Sequence, residues 1–255
     1  MKILVTNDDG IDAPGIARLA ECARQFGEVL VMAPKEQCSG MSHHIHIRKA
    51  MELKRRDDFP VKGVRAYSLD GTPADCVRAV VHGVLDPDAG KKGAGTPEYF
   101  AKNPDFPDVV FSGINEGPNA GYDIVYSGTV GAAMEASLYG IQAICFSHMA
   151  RRNEDGSTEV MERYLDALAR ECVENRLPAG KIWNINFPDC APDQFKGILR
   201  DRVPDHWCMY KDYYIEKDGY VRVTDFLRTE GDIRTDAGAI LAGYISIGTV
   251  TNPVV

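Results

Sequence analysis

The chain has 255 residues, 44% hydrophobic and 26% charged, with a formal net charge of −8. That length can bury a substantial core in one large α/β unit, or one unit with an appendage. The acidic balance excludes a sequence-independent nucleic-acid binder, which needs a basic face, but it leaves room for a small anion at a local or metal-bearing site.

The seven cysteines (22, 38, 76, 145, 172, 190 and 208) are odd in number and form no CxxC pair. They read as reduced thiols rather than a disulfide framework. There is neither a leader pattern nor an apolar run long enough for a bilayer. A cytoplasmic protein is expected, with no nucleic acid polymer and no membrane as partner.

Residues Ile3 to Thr6 form an apolar run without alternation, the mark of a strand buried on both faces. Pro14 suits the first turn of a helix, with Asp12 or Ala13 near its cap. Ile16, Leu19, Ala20, Ala23 and Phe26 then recur at helical spacing up to a stop at Gly27. Val29 to Ala33 is a second buried strand. Residues 3–33 thus read as a βαβ unit, which sets a parallel pair with a right-handed crossover.

A polar loop (34–44) leads to short strands expected at Ile45 to Arg48, Met51 to Lys54 and Val64 to Leu69. A helix is expected from Pro73. Residues 86–107, rich in Pro, Gly, Lys and Asp, read as an exposed insertion. A strand over Asp108 to Ser112 precedes a long glycine-rich loop, then a helix from Thr129 to Tyr139, ended by Gly140. Ile141 to Ser147 is a strand, 157–175 a helix, and "KIWNINFP" a strand closed by Pro188. Asp218-Gly219, flanked by aromatic and β-branched residues over 208–226, signals a hairpin. "GYISIG" is a final strand. The expected organisation is a core over 1–196 with the 86–107 insertion, a hairpin oligomerisation arm over 197–235, and a segment over 236–255 returning to the core.

In a parallel sheet, Asp8 and Asp9 follow the first strand, Ser39 lies in the loop after the second, and Asn115 and Asn119 follow the strand at 108–112. Loops beyond the carboxyl ends of parallel strands converge on one crevice. Two carboxylates, a hydroxyl and an amide carbonyl are hard oxygen ligands suited to Mg²⁺, Mn²⁺ or Ca²⁺. A divalent ion would resolve the repulsion between neighbouring Asp8 and Asp9 and acidify a water. Ser127, Gly128 and Thr129 precede a helix of small residues, where exposed N–H groups and hydroxyls can receive an anion. A metal beside a phosphate cradle points to phosphoryl chemistry.

Each feature has a plainer reading alone. Asp-Asp-Gly makes a turn and cap, Ser39 is a loop serine, "SGT" is a cap, and the asparagines form turns. It is their combination at corresponding strand ends that points to a site. His43, His44 and His46 invite zinc, but no Cys or second His pair completes a tetrahedral set, so they read as loop or substrate-side residues. Cys38 has no adjacent base, which disfavours a nucleophile. Tyr210, Tyr213, Tyr214 and Tyr220 read as an interaction surface. The first turn, "NDDGIDAPG", lacks the GxGxxG of a dinucleotide-binding oxidoreductase.

These motifs resemble the SurE family of stationary-phase survival proteins, metal-dependent 5′/3′-nucleotidases. The match runs through "ILVTNDDG", "AP…CSG" with Ser39, "DGTPADCV", "SGIN.G.N.G", "YSGTVGAAMEA", "NINFP" and "GYISI". The segment around 88–107 departs from the minimal pattern. The resemblance implies a Rossmann-like three-layer α/β/α core with a mostly parallel sheet and a C-terminal β-hairpin arm. It also implies homodimers or homotetramers that exchange this arm. By the same resemblance, Asp8, Asp9, Ser39 and Asn115 would hold one divalent cation, Mg²⁺ or Mn²⁺. Asn119, Ser127, Gly128 and Thr129 would hold the phosphate, with Asn7 close by.

The implied reaction is hydrolysis of nucleoside 5′- and 3′-monophosphates, extended in some members to short polyphosphate. In the expected mechanism a metal-activated water attacks phosphorus in line, with Asp8 or Asp9 orienting or deprotonating it. The alternative is a non-catalytic assembly protein that binds nucleotide and metal.

Overall fold

The sheet is built around the run Ile3-Leu4-Val5, whose side chains are all buried. The computed structural model describes residues 1–149 and 157–255, less the side chains of 212, 213 and 224–226. Tyr213 of the expected interaction surface therefore lies outside the described side chains.

Among the described residues, nine strands form the main sheet in the order β3-β4-β2-β1-β5-β6-β7-β11-β8. They are β1 (Lys2–Thr6), β2 (Glu28–Pro34), β3 (Leu53–Arg55), β4 (Arg65–Leu69), β5 (Val109–Glu116), β6 (Gln142–His148), β7 (Lys181–Phe187), β8 (Gly197–Arg202) and β11 (Tyr244–Thr251). The run from β4 to β7 is parallel throughout. Antiparallel β3 closes one side, and β11 pairs antiparallel with β7 and parallel with β8 on the other.

Alternate residues of each strand enter opposite cores. Ile3, Val5, Val29, Val31, Phe111 and Phe146 pack with residues of α1 (Pro14–Ala23) and α5 (Glu159–Glu174). Leu4, Leu30, Met32, Val110 and Cys145 pack with residues of α2 (Pro73–Val81) and α4 (Gly128–Leu138). This is why the strands read as unbroken apolar runs: both faces are covered, giving the three-layer α/β/α architecture. Order reverses at β1, with β2 on one side and β5 on the other. A ligand crevice is expected outside the carboxyl ends of such strands.

Several local expectations need correction. Ile45 to Arg48 is irregular; the His46 amide donates to Asp75 Oδ1 at 2.9 Å instead of entering a ladder. The first helix stops at Ala23, with Ala13 at its cap, and Gly27 lies beyond its end. The strand expected to end at Ser112 continues as β5 to Glu116, with a register shift against β6 between Ser112 and Asn115. The 86–107 segment includes α3 (Pro97–Phe100) and is anchored: Tyr99 is fully buried, and Asn103 Nδ2 donates to the carbonyls of Val80 and Val81. β8 and α6 (Asp236–Leu241) had no clear sequence signal.

The hairpin is present as a separate two-stranded sheet, β9 (Tyr210–Lys217) and β10 (Tyr220–Leu227). Asp218 and Gly219 both take positive φ, 57° and 79°, as a two-residue type I′ turn requires.

Candidate active site

Three strand ends and one helix start meet at a cleft of about 500 Å³. Its wall includes Asp8 after β1, Ser39 in the β2–β3 loop, Asn115 and Glu116 at the end of β5, Asn119, and Ser127 at the N-cap of α4. These are hard oxygen donors from segments far apart in sequence, brought together by the strand order.

Asp8 is almost fully buried. Thr129 Oγ1 donates to its Oδ1, and Gly128 sits so close that an added Cβ would lie 2.9 Å from Asp8 Cβ. Burial pushes the Asp8 carboxyl above its ordinary value, against the pull of the Thr129 hydroxyl and the Gly128 and Thr129 amides. Asp9 lies beside the wall and accepts from the Glu116 amide at 3.1 Å. Burial, and then the neighbouring Asp8 charge, push it up to about 6. Two adjacent carboxylates resisting ionisation form a site that a dication would relieve.

Asn7 is fully buried and closes the turn through Nδ2 to the Gly10 carbonyl at 2.9 Å. Its Oδ1 is buried with no hydrogen-bond partner among the described residues. Asn115 commits its amide nitrogen to the Gly117 carbonyl at 2.7 Å, so the side-chain atom it could offer a cation is its carbonyl oxygen. Ser39 Oγ accepts from Gln37 Nε2 at 2.9 Å through one lone pair, and the residue lines the cleft. Asp8, Asp9, Ser39 and Asn115 therefore fit a hard divalent cation by donor chemistry.

The residues expected at an anion stand in different settings. Ser127 caps α4, accepting from the Val130 amide at 3.1 Å, and its hydroxyl lies at the cleft. Thr129 is fully buried; its hydroxyl serves Asp8, and it is not part of the cleft wall. Asn119 is held by Asn186, Ser147 and Asn184, its own Nδ2 donating to Ser147 Oγ at 2.9 Å. That asparagine cluster explains the "NINFP" motif, since Asn184 and Asn186 of β7 fix the Asn119 loop.

Sequence reading gave Tyr210 to an interaction surface and missed Asp123. Tyr210 and Asp123 line the cleft, and Asp123 Oδ2 accepts from the Met209 amide at 2.6 Å. It also missed Asp236, buried, which takes the Gly121 amide at 3.0 Å and so ties the loop to α6. Asp123 falls within the glycine-rich loop that follows the strand at 108–112, so composition alone pointed to its neighbourhood but not to its partner.

Comparison with known proteins adds an independent line. Residues 3–206 match the family model described as "Survival protein SurE". The chain is 36% identical to "5′-nucleotidase SurE 1" of Thermus thermophilus, over 98% of this chain and 92% of that protein. It is 35% identical to "5′-nucleotidase SurE" of a Thermoanaerobacter species, over 97% and 90%. The SurE protein structure from Aquifex aeolicus superposes with a TM-score of 0.76 at 30% identity, covering 100% of this chain and 95% of that one.

Proposed function

The chain belongs to the SurE family, and from that premise we propose that it hydrolyses nucleoside 5′-monophosphates to nucleoside and phosphate. The reading takes its activity from the 5′-nucleotidase relatives. The observation that carries it is the convergence of Asp8, Ser39, Asn115 and Ser127 on one cleft at the sheet's switch point.

Asp8, Asp9, Ser39 and Asn115 would hold Mg²⁺ or Mn²⁺. Such an ion supplies charge neutralisation and acidifies water for attack on phosphorus. The residues of the chain do the rest. Thr129 fixes the Asp8 carboxylate through its hydroxyl and so acts on the substrate side through Asp8. The Ser127 hydroxyl and the amides at the start of α4, including Gly128, are placed to receive phosphoryl oxygens. Asn119, rigidly held, offers its second amide hydrogen to the same group, with Asn7 bracing the turn that carries the two carboxylates. Asp8 and Asp9 orient the attacking water, one of them taking its proton.

The reading extends to 3′-monophosphates and short polyphosphate, to a homodimer or homotetramer joined through the 197–235 arm, and to a cytoplasmic setting. No helix among the described residues is long and apolar enough to cross a membrane.

Phosphate release from AMP, GMP, 3′-AMP and tripolyphosphate tests the reading. AMP turnover is expected with Mn²⁺ or Mg²⁺, to vanish in EDTA and to return on adding metal. Tight AMP binding without release in any metal would replace it with a binding protein.

A further inference from the structure

The segment joining β2 to β3 has no regular structure, yet it carries Ser39 at the cleft. Something must hold it. Close to Ser39, the Cys38 amide donates to the Asp8 carbonyl at 2.7 Å. Further along, Ser42 is tied to the 3₁₀ turn before α4, its amide to the Tyr126 carbonyl at 2.9 Å and its hydroxyl to the Val125 carbonyl at 2.7 Å. The Ser42 carbonyl lies directly on Gly131 of α4, where a Cβ would strike it.

Beyond these ties the segment makes two side-chain clasps. His43 Nε2 meets Glu135 Oε2 of α4 at 2.7 Å, and His46 Nδ1 meets Asp75 Oδ2 of α2 at 2.7 Å. Both carboxylates are almost wholly buried, at 2% and 3% exposure. Burying an ionised carboxylate is strongly unfavourable unless it is hydrogen-bonded and paired. The other oxygen of Glu135 is occupied by Arg78 and the Tyr139 hydroxyl, each at 3.1 Å. Asp75 takes the Thr72 amide at 2.9 Å and the His46 amide at 2.9 Å. Glu135 thus presents one oxygen to the His43 ring, Asp75 presents Oδ2 to the His46 ring and Oδ1 to its amide, and Arg78 joins α2 to α4 through Glu135.

We infer that His43 and His46 are positioning residues that clasp the Ser39 loop to α4 and α2 and thereby hold Ser39 at the cation site. α4 then fixes both sides of the cleft: its first turn carries Thr129 against Asp8, and its second and third turns carry Gly131 and Glu135 against the loop. The inference rests on Ser39 being a ligand in the proposed function.

The test uses the full chain, with the variants His43→Ala and His46→Ala beside His43→Gln and His46→Asn, whose amides can replace the ring nitrogen as donor. Hydrogen exchange over residues 38–46 reads the loop, and Mn²⁺ calorimetry reads the site. Each alanine variant is expected to speed loop exchange by about 10-fold, with β1 and β5 unchanged. Each should weaken Mn²⁺ binding by about 10-fold, as loss of a ligand's supporting partner does. AMP turnover should recover at saturating Mn²⁺, and the Gln and Asn variants should restore slow exchange. Unchanged exchange in both alanine variants overturns the clasp. Faster exchange with unchanged Mn²⁺ affinity overturns its role in positioning Ser39. A parent chain that binds no Mn²⁺ defeats the proposed function instead, and the exchange data then still decide whether the clasps hold the loop.

Discussion

A methyl group on Gly128 would stand 2.9 Å from Asp8 Cβ, 3.1 Å from Asp8 Oδ2 and 3.2 Å from Pro73 Cγ. Replacing glycine by alanine within a helix normally gains up to about 1 kcal/mol. Here the same methyl must push Asp8 or Pro73 aside. Gly128→Ala is expected to leave the thermal midpoint nearly unchanged while kcat/KM for AMP falls by about 100-fold, the penalty of a small misplacement at a reacting centre. Parental activity in that variant would mean that Asp8 can yield without consequence. The need for glycine here was legible in the "SGT" motif, but the reason was not. Sequence suggested room for an oxyanion, whereas the nearest atoms belong to Asp8. The same holds for Thr129, whose position was readable and whose partner, 121 residues away, was not. His43 and His46 were visible as a cluster, yet they find carboxylates 92 and 29 residues distant, a pairing no local spacing encodes.

At the level of elements, α2 shows how a cap can carry acid sensitivity. Thr72 and Asp75 form a reciprocal capping box at its start. Burial alone would raise the Asp75 carboxyl, but the Thr72 amide and the His46 ring and amide outweigh it and hold it below the ordinary 3.8. The folded form therefore binds this proton less readily than the unfolded chain. Its stabilisation is complete above the unfolded value and is lost as pH falls through it toward the lowered folded one. Asp75→Asn is expected to be less stable than the parent at neutral pH and to lose less stability on acidification below about pH 4. Urea midpoints across pH measure both, and parallel acid limbs would assign the loss to other groups.

The buried parallel strands and this capped helix were legible because apolar runs and "GTP" turns are local signals. β8 was not, because "GILRDR" at the sheet's margin is half polar and does not alternate. Ile45 to Arg48 read as a strand from composition, but its His46 amide was claimed by a buried carboxylate.

For the whole molecule, strand order is what composition and motifs leave open, and it is what makes the site. The loops after β1, β2 and β5 meet because β1 lies between the other two. The hairpin is the second large-scale feature. Tyr214, Tyr220, Val221 and Val223 are each more than half exposed on a ribbon whose two strands, among the described residues, pair only with each other. A two-stranded ribbon is marginal in water, so a covering surface on another subunit is the expected remedy. Replacing residues 211–226 by a short Asn-Gly turn should lower the subunit number seen by light scattering. An unchanged number would remove the arm from the assembly.

β11 carries a consequence of a different kind. It lies between β7 and β8 and is made after both strands it joins. Until residues 244–251 emerge from the ribosome, β7 lacks a neighbour on that side and β8 has no ladder to enter. Translation adds about 5–20 residues each second, so the nascent chain displays an open sheet border for a measurable interval. Ribosome-bound chains stalled before residue 244 should therefore recruit holding chaperones, and release them once the closing strand slides into place.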